Sequence, residues 1–154
     1  MTDSVRPTTA RRRAPGQLAA LVVGLVFLLV GILGFIPGVT TNYDQLTFAG
    51  HESEAALLGI FNVSILHNIV HLLFGVAGLL AARTFSAARA YLIGGGIIYL
   101  VLFLYGLLID HNSAANFVPV NTADNYLHLV LGIGMIALGA LLGRRVTTTT
   151  ASRP

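Results

Sequence analysis

Residues 18–36 read LAALVVGLVFLLVGILGFI, a stretch without a single Asp, Glu, Lys or Arg. At a rise of ~1.5 Å per residue, a helix of this length crosses most of a ~30 Å hydrocarbon layer, so the stretch reads as a membrane span. Three further uncharged stretches follow, Ala55–Ala82, Ala90–Ile109 and Asn125–Gly143. Four membrane helices are expected. The rest of the composition agrees: of 154 residues 10% are charged and 55% apolar, and mean hydropathy is +0.81. Soluble domains run near ~25% charged, so an ordinary soluble enzyme is excluded. The sequence pI of 9.8 does not indicate nucleic acid, because no basic patch is interleaved with aromatics. There is no Cys, which excludes disulfides, thiolate catalysis and Cys-ligated metals.

Working outward from the spans, the charges separate by side. All nine cations are Arg. Arg6, Arg11, Arg12 and Arg13 precede the first span, Arg83 and Arg89 lie between the second and third, and Arg144, Arg145 and Arg153 follow the fourth. Asp44, Glu52, Glu54, Asp110 and Asp124 fall on the other side, with no cation among them. The positive-inside rule then places both termini in the cytoplasm and both hairpin loops outside. The expected organisation is a disordered Arg-rich tail (1–16), a four-helix domain (17–145) and a second disordered tail (146–154). Within the domain, spans of about 18–36, 64–82, 90–109 and 124–143 are separated by outer loops 37–63 and 110–123. The first span is longer than a signal-peptide core and ends in Gly34-Phe35-Ile36-Pro37-Gly38 without a small-x-small site, so it reads as an uncleaved signal-anchor.

Sliding the chain against itself by 57 residues lays Asn68-x-x-His71-Leu72-x-x-Gly75 on Asn125-x-x-His128-Leu129-x-x-Gly132. Agreement at Asn, His and Gly together suggests a duplicated helical hairpin, although the first and third spans show no convincing alignment. Both hairpins run in, out and in, which makes this a parallel repeat about an axis along the membrane normal. Ser64 and Asn121 are suitable N-caps, with His67 and Asp124 at the N3 positions. A start near Ser64 leaves Glu54–Phe61 as a separate piece, expected to be a short interfacial helix with Ser113–Val118 as a weaker counterpart. Tyr43, Tyr91, Tyr105 and Tyr126 lie near span ends, as interfacial aromatics do. Gly75, Gly78, Gly132, Gly139 and Gly143 mark close helix packing, with Gly139 and Gly143 in small-xxx-small spacing. Gly94-Gly95-Gly96 reads as a bend or a close backbone contact.

All five His residues belong to the outer half, and three lie within spans. His67 and His71, four residues apart, share a helix face that Gly75 and Gly78 continue. On the fourth span the matching face carries Asp124, His128 and Gly132. Such polar side chains must face the protein interior and find partners there. Several chemistries fit. His67, His71, His128, Asn68, Asn125 and Asp124 can form an interhelical hydrogen-bonded cluster, with the Asn residues as partners of the His residues. His67, His71 and His128, with or without Asp124, also suit a transition metal such as zinc. Opposed His71 and His128 suit bis-histidine haem, though glycine beneath each His implies touching helices and leaves no room for a porphyrin. A proton relay is a further option. No nucleophile elbow or phosphate loop occurs.

Gly34-Phe35-Ile36-Pro37-Gly38, Leu66-His67-Asn68-Ile69-Val70-His71-Leu72 and Asp124-Asn125-x-Leu127-His128 together resemble a bacterial membrane-protein family known mainly from actinobacteria and catalogued as domain of unknown function 4383. The resemblance spans about Leu18 to Arg145. It implies an all-α, four-helix integral protein of the bacterial plasma membrane and carries no assigned activity. Two functions are expected from these readings. The first is a non-enzymatic accessory or structural component of a membrane complex, with no cofactor and with lipid, other subunits or a second copy as partners. The second is a metal- or haem-binding membrane protein using the outer His cluster. No nucleic-acid partner is expected.

Overall fold

The computed structural model describes residues 13–142, which are mostly helical. Helix α1 (Pro15–Leu33) leads into three short strands, β1 (Thr40–Thr41), β2 (Ala56–Leu57) and β3 (Phe61–Asn62), with a 3-10 turn at Tyr43–Gln45. Helices α2 (Ile65–Ala81), α3 (Phe85–Leu108) and α4 (Thr122–Leu141) follow. Gly143, Arg144 and Arg145, most of the first tail and all of 146–154 lie outside the described residues.

Three helices are long and apolar enough to cross a membrane: α1, α3 and α4, with mean hydropathies of 2.5, 2.1 and 1.4. The fourth, α2, is apolar but has 17 residues. It is shortened from both sides. The Ser64 hydroxyl accepts from the His67 N–H at 3.1 Å and starts the helix, and a three-residue turn from Ala82 to Thr84 ends it. Thr84 then caps α3 by accepting from the Ala87 N–H, so α3 begins at Phe85 rather than near residue 90. At the other end of the chain α1 begins at Pro15, within the segment read as tail. Proline is preorganised for a first helical turn. The Gln17 side chain fixes that turn by accepting from the Ala14 N–H and donating to the Ala82 carbonyl, both at 3.1 Å.

The interfacial helix expected over Glu54–Phe61 is not there. This segment holds β2 and β3 of an antiparallel sheet ordered β1-β2-β3, with Thr40 opposite Leu57 and Leu57 opposite Phe61. Two features overrule the helix. Ser53, Ala55 and Leu57 are buried while Glu54 and Leu58 are exposed, a period of two. Leu58 and Gly59 then adopt φ of +55° and +69°, a left-handed pair that no right-handed helix admits. The Ser113–Val118 counterpart is also non-helical. Buried Asn116 organises it: its Oδ1 accepts from the Val120 N–H at 3.0 Å, and its Nδ2 donates to the Val120 and His111 carbonyls.

Helices pack in antiparallel pairs through glycine. A Cβ at Gly24 of α1 would lie 2.9 Å from the Gly75 carbonyl oxygen of α2. A Cβ at Gly96 of α3 would lie 2.7 Å from the Gly132 carbonyl oxygen of α4. The parallel continues residue by residue. Leu28 packs on Gly75 and Leu100 on Gly132, and the Asn68 amide lies against Gly34 as the Asn125 amide lies against Gly106. The partners on α2 and α4 are related by a shift of 57 residues, those on α1 and α3 by 72. The chain between matching positions, Gly34 to Asn68 against Gly106 to Asn125, is longer in the first hairpin by that difference, which is why one constant shift aligned only half of each hairpin. Gly95 and Gly96 are contact residues, whereas Gly94 meets nothing within 4 Å and α3 runs on unbroken. Tyr91 is a packing residue rather than an interfacial one. Its ring stands 5.3 Å from Phe74, and its hydroxyl donates to the Phe74 carbonyl.

Candidate functional site

On α2 the i, i+4 spacing of His67 and His71 turns both inward, and Asn68 beside His67 points to the same interior. On α4 the same logic buries Asp124, Asn125 and His128. All six predicted polar residues are buried, between 1% and 9% exposed. They do not form one cluster.

His67, His71 and His128 come together. The rings of His67 and His71 stack at 4.5 Å with planes 8° apart, and the His71 Nδ1–H donates to the His67 carbonyl at 3.0 Å. That bond fixes the His71 tautomer, leaving Nε2 with its lone pair. Phe27 lies 5.6 Å from His71, and Tyr99 lies 5.3 Å from His128. Phe27 and Tyr99 in turn stack on each other at 5.4 Å. The two halves therefore meet as a row of rings, His71, Phe27, Tyr99 and His128. A cavity of about 50 Å³ adjoins them, lined by the three His residues with Tyr99, Tyr105 and Val120 among its other walls. One water needs ~10–15 Å³ of such space, so the cavity has the volume of a few waters.

Asn68 and Asn125 do not pair with the histidines. Each amide is pressed against a glycine, and Asn68 Nδ2 and Asn125 Oδ1 lack hydrogen-bond partners among the described residues. Asp124 leaves the histidines as well. Its Oδ2 accepts from the Asn121 N–H at 2.9 Å and the Asn62 N–H at 3.0 Å, while the Asn121 amide donates to the Ile60 carbonyl at 2.8 Å. Asp124 thus clamps the β2–β3 hairpin onto the start of α4. This long-range bond had no signal beyond the Asn121–Asp124 capping spacing. Phe27, Tyr99 and Tyr105 were not singled out as site residues; the 72-residue shift, which pairs Phe27 with Tyr99, is the signal that finds them.

Buried polar atoms remain in the His group itself. His67 Nδ1 and His128 Nδ1 have no hydrogen-bond partner among the described residues. An imidazole binds a metal through a lone pair in its own ring plane, at ~2.0–2.1 Å for zinc. The near-parallel planes of His67 and His71 cannot both contain one ion. Among the described residues no group of three or more His, Asp or Glu is placed to hold a metal.

A family model described as Domain of unknown function (DUF4383) matches residues 17–141. The chain belongs to this family. The DUF4383 match takes in α1 from Gln17 onward, the other three helices, the segments that join them and every residue of the site. Its description names no activity, so no catalytic role passes to any DUF4383 residue here. No curated protein and no solved structure matches the chain.

The site makes one stability prediction. His128→Phe keeps an aromatic ring and removes the buried Nδ1, which has no hydrogen-bond partner among the described residues. Its expected cost is at most about 1 kcal/mol, since membrane hydrogen bonds average ~0.6 kcal/mol. Reversible unfolding in mixed micelles measures it, and a loss several times larger contradicts a purely packing role for this ring.

Proposed function

We propose that the chain is a four-helix integral protein of the bacterial plasma membrane, built from two duplicated hairpins with both termini cytoplasmic. In this reading it serves as a non-enzymatic accessory component of a membrane complex. One observation carries the proposal: the outward helix surfaces are apolar, while the described charges lie at helix ends or in loops. Leu18, Val22, Leu25, Leu29 and Ile32 on α1, Ile97, Val101 and Leu104 on α3, and Val130 and Ile133 on α4 are each at least half exposed. Water does not tolerate so continuous an apolar surface, and lipid does. Exposed Arg13, Arg83 and Arg89 gather at the end where α1 starts and α2 ends, and exposed Asp44, Glu52, Glu54 and Asp110 at the opposite end. This asymmetry supports the cytoplasmic termini.

The non-enzymatic reading rests on the interior. Glycine contacts close much of it, and the cavity beside the histidines, whose exposed lining is mostly apolar, is too small for a substrate of any size. The small cavity and the stacked His67 and His71 rings weigh against haem and metal, which stay as the second outcome of the same test. Fusion of alkaline phosphatase to the C-terminus is expected to be inactive, and insertion of it after Asn112 active; the reverse pattern overturns the topology. Purification in mild detergent is expected to yield a defined complex with other membrane subunits and no metal or visible absorption. A lone, partner-free protein overturns the accessory role, and a stoichiometric metal or a haem spectrum favours the ligand-binding reading.

A further inference from the structure

The shortness of α2 has to be reconciled with a bilayer. Its 17 residues reach ~25 Å, about one turn less than the ~30 Å hydrocarbon thickness. The chain on its outer side is the strand hairpin, and that cap carries large apolar side chains with nothing over them. Phe48 is 64% exposed, Leu58 61%, Ile60 53% and Phe117 57%. The backbones of Phe48, Ile60 and Phe117 are tied to the layer at the helix starts. The Phe48 carbonyl accepts from the Leu66 N–H in the first turn of α2 at 2.9 Å, and the Ile60 carbonyl accepts from Asn121, the N-cap of α4. The Phe117 carbonyl accepts from the Gly50 N–H, which ties the second loop into the same layer.

Leu58 adds an independent observation. A leucine at φ +55° is strained, because its Cβ crowds the backbone in the left-handed region. This one is also largely exposed, so no core packing repays the strain. The helices that these bonds adjoin expose apolar side chains in their first turns and beyond: Ile69, Val70 and Leu73 on α2, and Leu127 and Val130 on α4. A surface of that kind, at the level where helices emerge, fits the boundary between headgroups and acyl chains.

We propose that Phe48, Leu58, Ile60 and Phe117 form a lipid-contacting surface immersed in the outer leaflet, so that the strand cap completes the short span of α2. The occupant is phospholipid, and the proposal rests on the membrane-spanning reading above. The cap is then a wedge in the headgroup region and not an aqueous domain.

The chain has no Trp, so single-Trp variants report position without background. Phe48→Trp and Ile60→Trp probe the cap, Ile97→Trp the middle of α3, and Glu52→Trp the aqueous side. Each is reconstituted as the full chain into phosphatidylcholine vesicles brominated either near the headgroup or near the chain end. The two cap probes are expected to be quenched several-fold more by shallow than by deep bromine, and to resist aqueous iodide. Ile97→Trp is expected to follow the deep bromine, and Glu52→Trp the iodide. Cap probes quenched by iodide and not by bromolipid, with Ile97→Trp still quenched by lipid, overturn the proposal alone. Cap probes shielded from both quenchers overturn it in favour of a protein cover. If Ile97→Trp escapes bromolipid, the spanning reading falls and this proposal with it.

Discussion

Gly96→Ala is expected to destabilise the protein by about 3 kcal/mol, the upper end of what overpacking a tight interior costs. Gly94→Ala, two residues earlier, is expected to be neutral or to stabilise by up to about 1 kcal/mol, since alanine is the better helix former. The contrast rests on what each new methyl meets. At Gly96 it lies 2.7 Å from the Gly132 carbonyl oxygen and 3.0 Å from the Ile136 backbone nitrogen, whereas at Gly94 nothing stands within 4 Å. The obstacle at Gly96 is backbone of α4, so no rotamer change relieves it. The helices must separate, and separation loosens Leu100 on Gly132, Ile93 on Gly139 and the Tyr99–His128 contact together. Unfolding of both variants in mixed micelles, followed by circular dichroism, measures the difference. Equal stabilities mean that α3 and α4 do not approach this closely.

Asp124→Ala is the second large effect, a loss of about 2–4 kcal/mol. One carboxylate oxygen accepts from two backbone N–H groups, those of Asn121 and Asn62. Removing it takes away half of a capping box and leaves both donors without their acceptor, each such orphan costing ~1–3 kcal/mol when buried. Asp124→Asn retains an acceptor oxygen and is expected to fall between the two. The loss has a local signature. Hydrogen exchange is expected to accelerate at Asn62 and Asn121 in Asp124→Ala, while amides in the middle of α1 keep their protection. Uniform acceleration across the chain, or none at Asn62, contradicts the clamp.

Much of this architecture was legible in the sequence because long apolar helices leave few choices. An uncharged run needs a length and two ends, and Ser64 and Asn121 supplied two of the starts as caps. Gly75, Gly78, Gly132 and Gly139 lie at close helix contacts, a use that suits a residue without a side chain on an apolar helix, while Gly143 lies outside the described residues. The outer cap was harder. Ser53-Glu54-Ala55-Ala56-Leu57 alternates in the structure, but Ala and Ser give almost no contrast in hydrophobicity, so the strand period was hidden beneath a helix-like composition. The site was half legible. Polarity announced which residues are buried, and spacing put them on shared faces. It did not say which neighbour each would meet: Asp124 turned to the β3 backbone and the two Asn amides to glycine, through contacts set by the unequal outer loops.

Phe27 and Tyr99 occupy matching places where the two hairpins touch, yet one ring ends in hydrogen and the other in a hydroxyl. A dimer of identical hairpins must repeat every residue across its axis. A single chain is released from that rule, and this one places Tyr99 and Tyr105 in the cavity wall where the first hairpin has Phe27 and Leu33 at the matching positions. The cavity is therefore unlike on its two sides: the first hairpin lends it His67 and His71, the second His128, Tyr99 and Tyr105.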